Sequence, residues 1–267
     1  MKHNAHLHII LYALFVFSIG CTDKGKEQSN QANNDNLINA VLYHQISAEY
    51  RALCYQAFNL GRVMLDNDLA DTNIAKPRAI IVDIDETLLD NNPYEARCII
   101  DQITYPELWK EWVELAKAKP IPGAVDFLNY VNDRGVAIMY VTNRKEKFRD
   151  ATLKNLENAG FPQVEESHLF MRTDKISKEE RRLKILQNYH ISLLAGDNIR
   201  DFTNIFDGKS ISERLLLADS LKLEFGRRFL VLPNPIYGSW ESALFENYEN
   251  PSEREKSKIR LEHLESF

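Results

Sequence analysis

Five short apolar runs alternate with amphipathic helical stretches along most of this chain, and that rhythm leaves few folds open. The runs are residues 78–83, "GVAIMYVT" (135–142), "SHLFM" (167–171), "ISLLAGD" (191–197) and "RRFLVL" (227–232). Among them stand "PGAVDFLNYVNDR", "KFRDATLKNLENAG", "SKEERRLKILQNY" and "ISERLLLADSLKLEFG". Strands alternating with helices predict an α/β chain whose parallel sheet is covered on both faces. Ligands of such sheets bind outside the carboxyl ends of the strands.

Three segments depart from the rhythm. From Leu37 to Leu69 the residues Val41, Leu42, Ile46, Tyr50, Leu53, Cys54, Ala57, Phe58, Leu60 and Met64 recur at helical spacing without an internal Pro. This predicts one long helix, or two broken near Gly61, ahead of the core. Residues 91–119, "NNPYEARCIIDQITYPELWKEWVELAKAK", separate the first strand from its helix. They predict a helical insertion over the carboxyl edge, a natural lid or specificity element. The charged end "ENPSEREKSKIRLEHLESF" predicts a solvated terminal helix or tail.

The first strand ends unusually. In "IIVDIDETLLD" (80–90) an apolar run turns acidic at Asp83, Asp85 and Glu86. Like charges at the edge of a low-dielectric core repel one another and need a compensating cation or a chemical use. Aspartates also make ordinary turns, so the other strand ends must decide. Thr142, Asn143 and Arg144 end the second strand, Lys175 and Lys178 precede the helix after the third, and "GDNIRD" places Asp197 and Asp201 after the fourth. These groups gather at one edge and form a site.

Composition sets outer bounds. The 267 residues are 44% hydrophobic and 27% charged, which suits one sizeable globular core. A net charge of −6 argues against a nucleic-acid partner held by a broad basic surface. An anionic small substrate stays open, because a local cation can dominate one pocket. Near the start, "LHIILYALFVFSIGC" is an apolar stretch ending in small residues at Cys21, the layout of a secretory signal with a lipid-modified cysteine. It is too short to span a bilayer comfortably, and no cationic stop follows. The expected organisation is a signal over 1–20, lipidation at Cys21, a polar, Asn-rich flexible tether over 21–36 and one domain over 37–267. Cys54 and Cys98 match no metal-site spacing and would suit either a disulfide or buried thiols in an exported chain.

The ordered set "DIDET", "VTNR", "DKISK" and "GDNIRD" resembles the haloacid-dehalogenase (HAD) superfamily of aspartyl-phosphate phosphohydrolases. More narrowly, "DIDETLLDNNPYEA", "ELWKEWVELAKAKPIPGAVDFL", "YVTNRKE", "DKISKEERR", "LLAGDNIRDF" and "LPNPIYGSWE" resemble class C acid phosphatases, the outer-membrane lipoprotein 5′-nucleotidases, over residues 37–250. The resemblance implies a HAD-like Rossmannoid parallel sheet flanked by helices, with a small helical cap at about 91–119 and an N-terminal helical extension. It implies that Asp83 is the nucleophile and that Asp85 is the general acid and then the base. Thr142 and Lys178, the latter in preference to Lys175, would cradle the phosphoryl group. By the same resemblance, Mg²⁺ would be held by the Asp83 side chain, the Asp85 backbone carbonyl and Asp197, with Asp201 orienting ligand waters or Asp197 from behind.

Substrate selection rests on aromatic and polar residues around that site. Tyr94 and Tyr237 lie in Pro-flanked segments and are expected to stack on a nucleobase or nicotinamide ring, whereas Trp109, Trp112 and Trp240 suit stacking or core packing. Asn143 and Arg144, with Asn91 and Asn92, are expected to touch ribose or phosphate. The reading is a metal-dependent acid phosphatase for small monoesters such as 5′-nucleotides and nicotinamide mononucleotide. It would be lipid-anchored in the bacterial envelope at the outer membrane and, by resemblance, a homodimer. Its rivals are a surface lipoprotein that binds an aromatic ligand such as haem over a vestigial site, a phosphotransferase, and a purely structural lipoprotein. The intact set Asp83, Asp85, Thr142 and Asp197 speaks against decay.

Overall fold

A computed structural model describes residues 35–267, so the predicted signal, Cys21 and nearly all of the tether lie outside the described residues. In chain order the strands are β1 (Arg78–Val82), β2 (Leu89–Asp90), β3 (Lys119–Pro120), β4 (Ala137–Lys145), β5 (Leu169–Arg172), β6 (His190–Gly196) and β7 (Phe229–Val231). The helices are α1 (Ile38–Ile46), α2 (Ala48–Leu69), α3 (Asn92–Asp101), α4 (Trp109–Leu115), α5 (Ala124–Asn132), α6 (Arg149–Asn158), α7 (Glu179–Asn188), α8 (Ile211–Ser220), α9 (Ser239–Ser242) and α10 (Glu253–Glu262). Five strands form a parallel sheet in the order β5-β4-β1-β6-β7, as the alternation predicts. The first strand in sequence is therefore central, and the chain winds outward from it in both directions. The loops after β1, β4 and β6 consequently meet over one crevice.

The sheet is apolar on both faces because period-two alternation feeds two cores. Ile80 and Val82 enter one with Phe58 of α2, Phe127 of α5 and Leu156 of α6, while Ala79 and Ile81 enter the other with Ile185 of α7. Each fully buried side chain of this size contributes about 1.5–3 kcal/mol. Strand β6 shows how register answers burial. Ala79 faces Ile191 but Ile80 faces Leu193, so a bulge skips Ser192 and sends Ile191 and Leu193 to opposite cores.

The helical extension breaks at Ser47, not near Gly61. The Ser47 hydroxyl accepts from the Tyr50 amide at 3.0 Å and caps α2. Gly61 lies inside α2, where an added Cβ would stand 2.9 Å from the Phe127 ring and 3.1 Å from Leu230. The glycine serves close packing of α2 on α5. The insertion forms as α3 and α4, and its base is tied by the antiparallel pair Leu89 with Pro120 and Asp90 with Lys119. Cys54 and Cys98 are buried thiols, not a disulfide. The charged end forms α10, which buries Ile259 and binds Glu241 through Arg260 at 2.7 Å, so it is docked as well as solvated. Among the described residues no helix is long and apolar enough to cross a membrane.

Candidate active site

The loop after β1 is wound tightly by its own backbone. The Leu88 and Leu89 amides both donate to the Ile84 carbonyl at 2.9 Å, and the Glu86 amide donates to the Leu89 carbonyl at 2.9 Å. Glu86 adopts φ 56°, a left-handed conformation that a bulky side chain rarely takes without tertiary compensation. The compensation is visible: its fully buried carboxylate accepts from the Asn91 amide at 2.9 Å, from the Asn91 side chain at 3.2 Å and from the Tyr237 hydroxyl. This turn buries Ile84 and Leu88 and leaves Asp83 and Asp85 at the carboxyl edge.

Three carboxylates converge there. Asp83, Asp197 and Asp201 each offer an oxygen within 4.8 Å of the others. The buried ammonium of Lys178 bridges two of them, donating to Asp83 Oδ1 and, at 2.7 Å, to Asp201 Oδ1. Asp201 Oδ2 accepts from the Asn198 amide at 2.9 Å, so both its oxygens are engaged. Gly196 makes that approach feasible, since a Cβ there would fall 2.4 Å from Asp201 Oδ2. Asp197 accepts from Thr87 at 3.2 Å and Asn234 at 2.8 Å. Lys175 stands outside, exposed and paired with Glu180.

Asp85 faces a different set. Its Oδ1 accepts from Asn91 Nδ2 at 2.8 Å and from Arg144 Nε at 2.9 Å, with a terminal Arg144 nitrogen in ion-pair contact at 2.8 Å, and its Oδ2 accepts from Thr142 Oγ1 at 3.4 Å. Thr142 is fully buried and also accepts from the Arg144 amide at 3.0 Å. Asn143 is exposed and accepts from Arg181 at 2.8 Å. Arg144 is buried against Asp85, so it reaches the cavity already bound to a carboxylate.

Asp83, Asp85, Asn143, Arg144, Lys178, Asp197 and Asp201 line a cavity of about 640 Å³, together with Tyr105 and Trp109 from the insertion, Tyr237, and Phe245, whereas Thr142 and Asn91 lie behind it. Tyr94 does not line it. Its ring is buried edge-on against Trp109 and its hydroxyl donates to the Glu107 carbonyl at 2.9 Å, so it supports a wall and has no free face to stack on a ligand. Trp112 is half-buried and donates to Asn91, and Trp240 lies exposed outside the lining. Asn91 and Asn92, expected to touch ribose or phosphate, are buried and spent on internal contacts.

Residues 22–240 match the family model of HAD superfamily, subfamily IIIB (acid phosphatase). The chain belongs to that family. Two structures of the class C acid phosphatase from Bacillus anthracis, one with tungstate bound, share its fold. They are 41% and 42% identical, with TM-scores of 0.84 and 0.85, each covering 88% of this chain and 98% of that one. Acid phosphatase 1 of Solanum lycopersicum is 29% identical over 164 residues, 59% of this chain and 57% of the relative's own length.

The electrostatics of this acid phosphatase site follow from burial. Desolvation pushes Asp83 well above the usual carboxylate range, opposed by Lys178 and reinforced by Asp201, Asp197 and Asp85. Asp197 is pushed up to about 7, first by burial and then by Asp201. Burial works against the charge of Lys178, but Asp201 and Asp83 outweigh it and hold its ammonium above its ordinary value. Three carboxylates around one ammonium leave an excess of buried negative charge, and hard oxygen donors at this spacing fit a divalent cation.

Several residues of the site had no role in the sequence reading. Arg181 donates to the Thr142 carbonyl and Asn143, and Arg182 donates to the Arg200 and Asp201 carbonyls at 3.0 and 2.9 Å. Their spacing from Lys178, three and four residues on, places all three on one face of the turn that opens α7, a signal present in "SKEERR". Asn198 and Asn234 had no comparable signal, because their roles depend on loops that meet only in the fold.

Proposed function

We propose that this acid phosphatase hydrolyses small phosphomonoesters through an aspartyl-phosphate on Asp83, with Asp85 as acid and base. The observation that carries the reading is the division of the site. Lys178, Asp201 and Asp197 surround Asp83, while Asn91, Arg144 and Thr142 surround Asp85, so two neighbouring carboxyls sit in different environments. Paired carboxyls with separate surroundings suit separate roles. A relative of 41% identity binds tungstate, a tetrahedral oxyanion of the shape that a phosphoryl group presents.

In the first step an Asp83 oxygen bonds to phosphorus as the phosphorus–leaving-oxygen bond breaks, and the Asp85 carboxyl passes its proton to that oxygen. In the second, the Asp85 carboxylate takes a proton from water as the water oxygen bonds to phosphorus, and the Asp83 acyl phosphate opens to release phosphate. Lys178 holds a phosphoryl oxygen by charge, and the Thr142 hydroxyl, directed at Asp85 Oδ2 without substrate, turns to donate to another. Mg²⁺ is the cation we assign, held by Asp83, the Asp85 carbonyl and Asp197; when bound it would neutralise the carboxylates and the phosphoryl oxygens. Asp201 acts from behind, through Lys178.

The leaving groups we propose are nucleosides, including nicotinamide riboside, because Trp109, Tyr105 and Tyr237 line the same cavity as Asp83, Asp85 and Lys178. Phosphate release from nicotinamide mononucleotide, a 5′-nucleotide and an aryl phosphate, with and without Mg²⁺ and beside Asp83→Asn, tests the reading. Metal-dependent turnover lost in the variant is the expected result, and turnover retained by Asp83→Asn would overturn the nucleophile. Export and anchoring through Cys21 are proposed from the leader alone; incorporation of a palmitate analogue, abolished in Cys21→Ser, is the corresponding check. The homodimer remains a proposal from resemblance, tested by sedimentation of the domain.

A further inference from the structure

Asn91 is fully buried and makes more polar contacts than its place at the start of α3 requires. Its Oδ1 receives the Trp112 indole N–H at 2.8 Å and faces an Arg144 nitrogen at 3.5 Å. Both are donors without acceptor capacity, so the amide can be oriented in only one way. Its nitrogen must face the carboxylates, and it lies 2.8 Å from Asp85 Oδ1 and 3.2 Å from Glu86 Oε2. Arg144 adds two nitrogens on the same Asp85 oxygen. Oδ1 thus meets two hydrogen bonds and a second Arg144 nitrogen, whereas Oδ2 meets only the Thr142 hydroxyl, at 3.4 Å, and is the less engaged oxygen.

We infer that Asn91 is the positioning residue through which the helical insertion, by way of Trp112, fixes the Asp85 carboxyl so that Oδ2 faces the leaving group. The inference rests on the reading of Asp85 as general acid. It links the insertion to the chemistry and not only to substrate fit: α4 sets the amide, the amide sets the acid. An acid held in the wrong rotamer would still bind phosphate but would fail to protonate a poor leaving group.

Leaving-group dependence distinguishes this role from mere packing. An alkyl phosphate such as a 5′-nucleotide needs its leaving oxygen protonated, whereas p-nitrophenyl phosphate departs as a stable anion. General acid catalysis contributes roughly 10²–10⁴-fold, so a misplaced acid in Asn91→Ala should lower kcat on the nucleotide about 100-fold and on the nitrophenyl ester less than about 10-fold, with KM little changed. Trp112→Phe keeps a ring and removes the donor, and should discriminate in the same direction by about 3- to 10-fold. It decides the matter if Asn91→Ala does not fold. Equal losses on both esters, while Asp85→Asn discriminates between them, would overturn the inference and leave the acid in place. Equal losses in Asp85→Asn itself would overturn the acid and the inference together.

Discussion

The two ends of strands β1 and β6 hold two acidic clusters of opposite character. At the amino end Arg78 opens β1 and His190 opens β6, and between them Asp68 of α2 accepts from Arg78 Nε at 2.9 Å, His190 Nε2 at 2.8 Å and Ser192 Oγ at 2.6 Å. One carboxylate meets three donors. Burial would raise its pKa, but the bonds from Ser192, His190 and Arg78 outweigh burial and hold it below the usual range. At the carboxyl end three carboxylates meet one ammonium, and Asp83 is driven up. The same sheet therefore carries a cluster whose one carboxylate is matched by donors and fastens α2, and another whose three carboxyls share one ammonium. What separates structure from function here is the balance of donors against charge, not the presence of buried acids.

The sharpest way to break the contrast is to neutralise one acid at each end. Asp83→Asn should cost about 10⁴-fold or more in kcat on every ester, as loss of a nucleophile does. Its thermal midpoint should not fall, because the variant removes repulsion from a crowded cluster. A stabilising role for Asp83 would show as a lowered midpoint and would erase the distinction between the ends.

Cation removal should affect one end alone. Chelation is expected to suppress turnover and Mg²⁺ to restore it. At a hundred-fold excess over Kd the ion should stabilise the domain by about 2.7 kcal/mol, read as a raised midpoint. Asp197→Asn should shrink that shift and Asp68→Asn should not. An equal shift in both variants would place the ion elsewhere.

At the amino end the effect is smaller and confined to stability. Asp68→Asn loses charge-assisted bonds to Arg78 and His190 and should cost about 2 kcal/mol by denaturant unfolding. Activity should stay within about two-fold, because the two clusters share no partner. A large loss of kcat would mean that the amino end couples to the chemistry.

The two ends were not equally legible in the sequence. The carboxyl end could be read because Asp83, Asp85, Thr142 and Asp197 each follow an apolar run, where local structure gives no reason for them. Lys178 could be preferred to Lys175 only by resemblance, and the fold places Lys178 beside Asp83 while Lys175 pairs with Glu180. The amino-end cluster was invisible, since Asp68, Arg78 and His190 meet only after α2 docks on the sheet. Tyr94 was misjudged for a similar reason: a flanking Pro marks a segment boundary, but here it opens α3 and turns the ring inward. The break at Ser47 did have a local signal, a hydroxyl able to cap the next turn, which the glycine at position 61 obscured. Periodicity reports which side chains are buried, whereas hub residues such as Asn91 are set by which loops meet.

The smallest effect sharpens the comparison through pH. Asp197 rises from the ordinary 3.8 of an aspartate to about 7. Between those values the metal-free folded state keeps a proton that the unfolded chain releases, so stability is fullest below 3.8 and falls as pH rises through 7. Asp68 does the reverse: lowered in the fold, it stabilises above its unfolded value and loses that contribution as pH falls through the folded one. His44, lowered to about 4 because burial outweighs the pull of Asp90, also favours the higher pH, losing stability as pH falls from 6.5 toward 4. The whole-domain slope thus mixes signs, and the informative quantity is the difference between wild type and Asp197→Asn. Without metal, that difference should show wild type losing a few degrees of midpoint relative to the variant between pH 4 and 7. With Mg²⁺ the loss should vanish, because the ion favours the ionised carboxylate. Identical slopes in wild type and variant would mean that the carboxyl end is already balanced by Lys178, and the contrast between the two ends would fail.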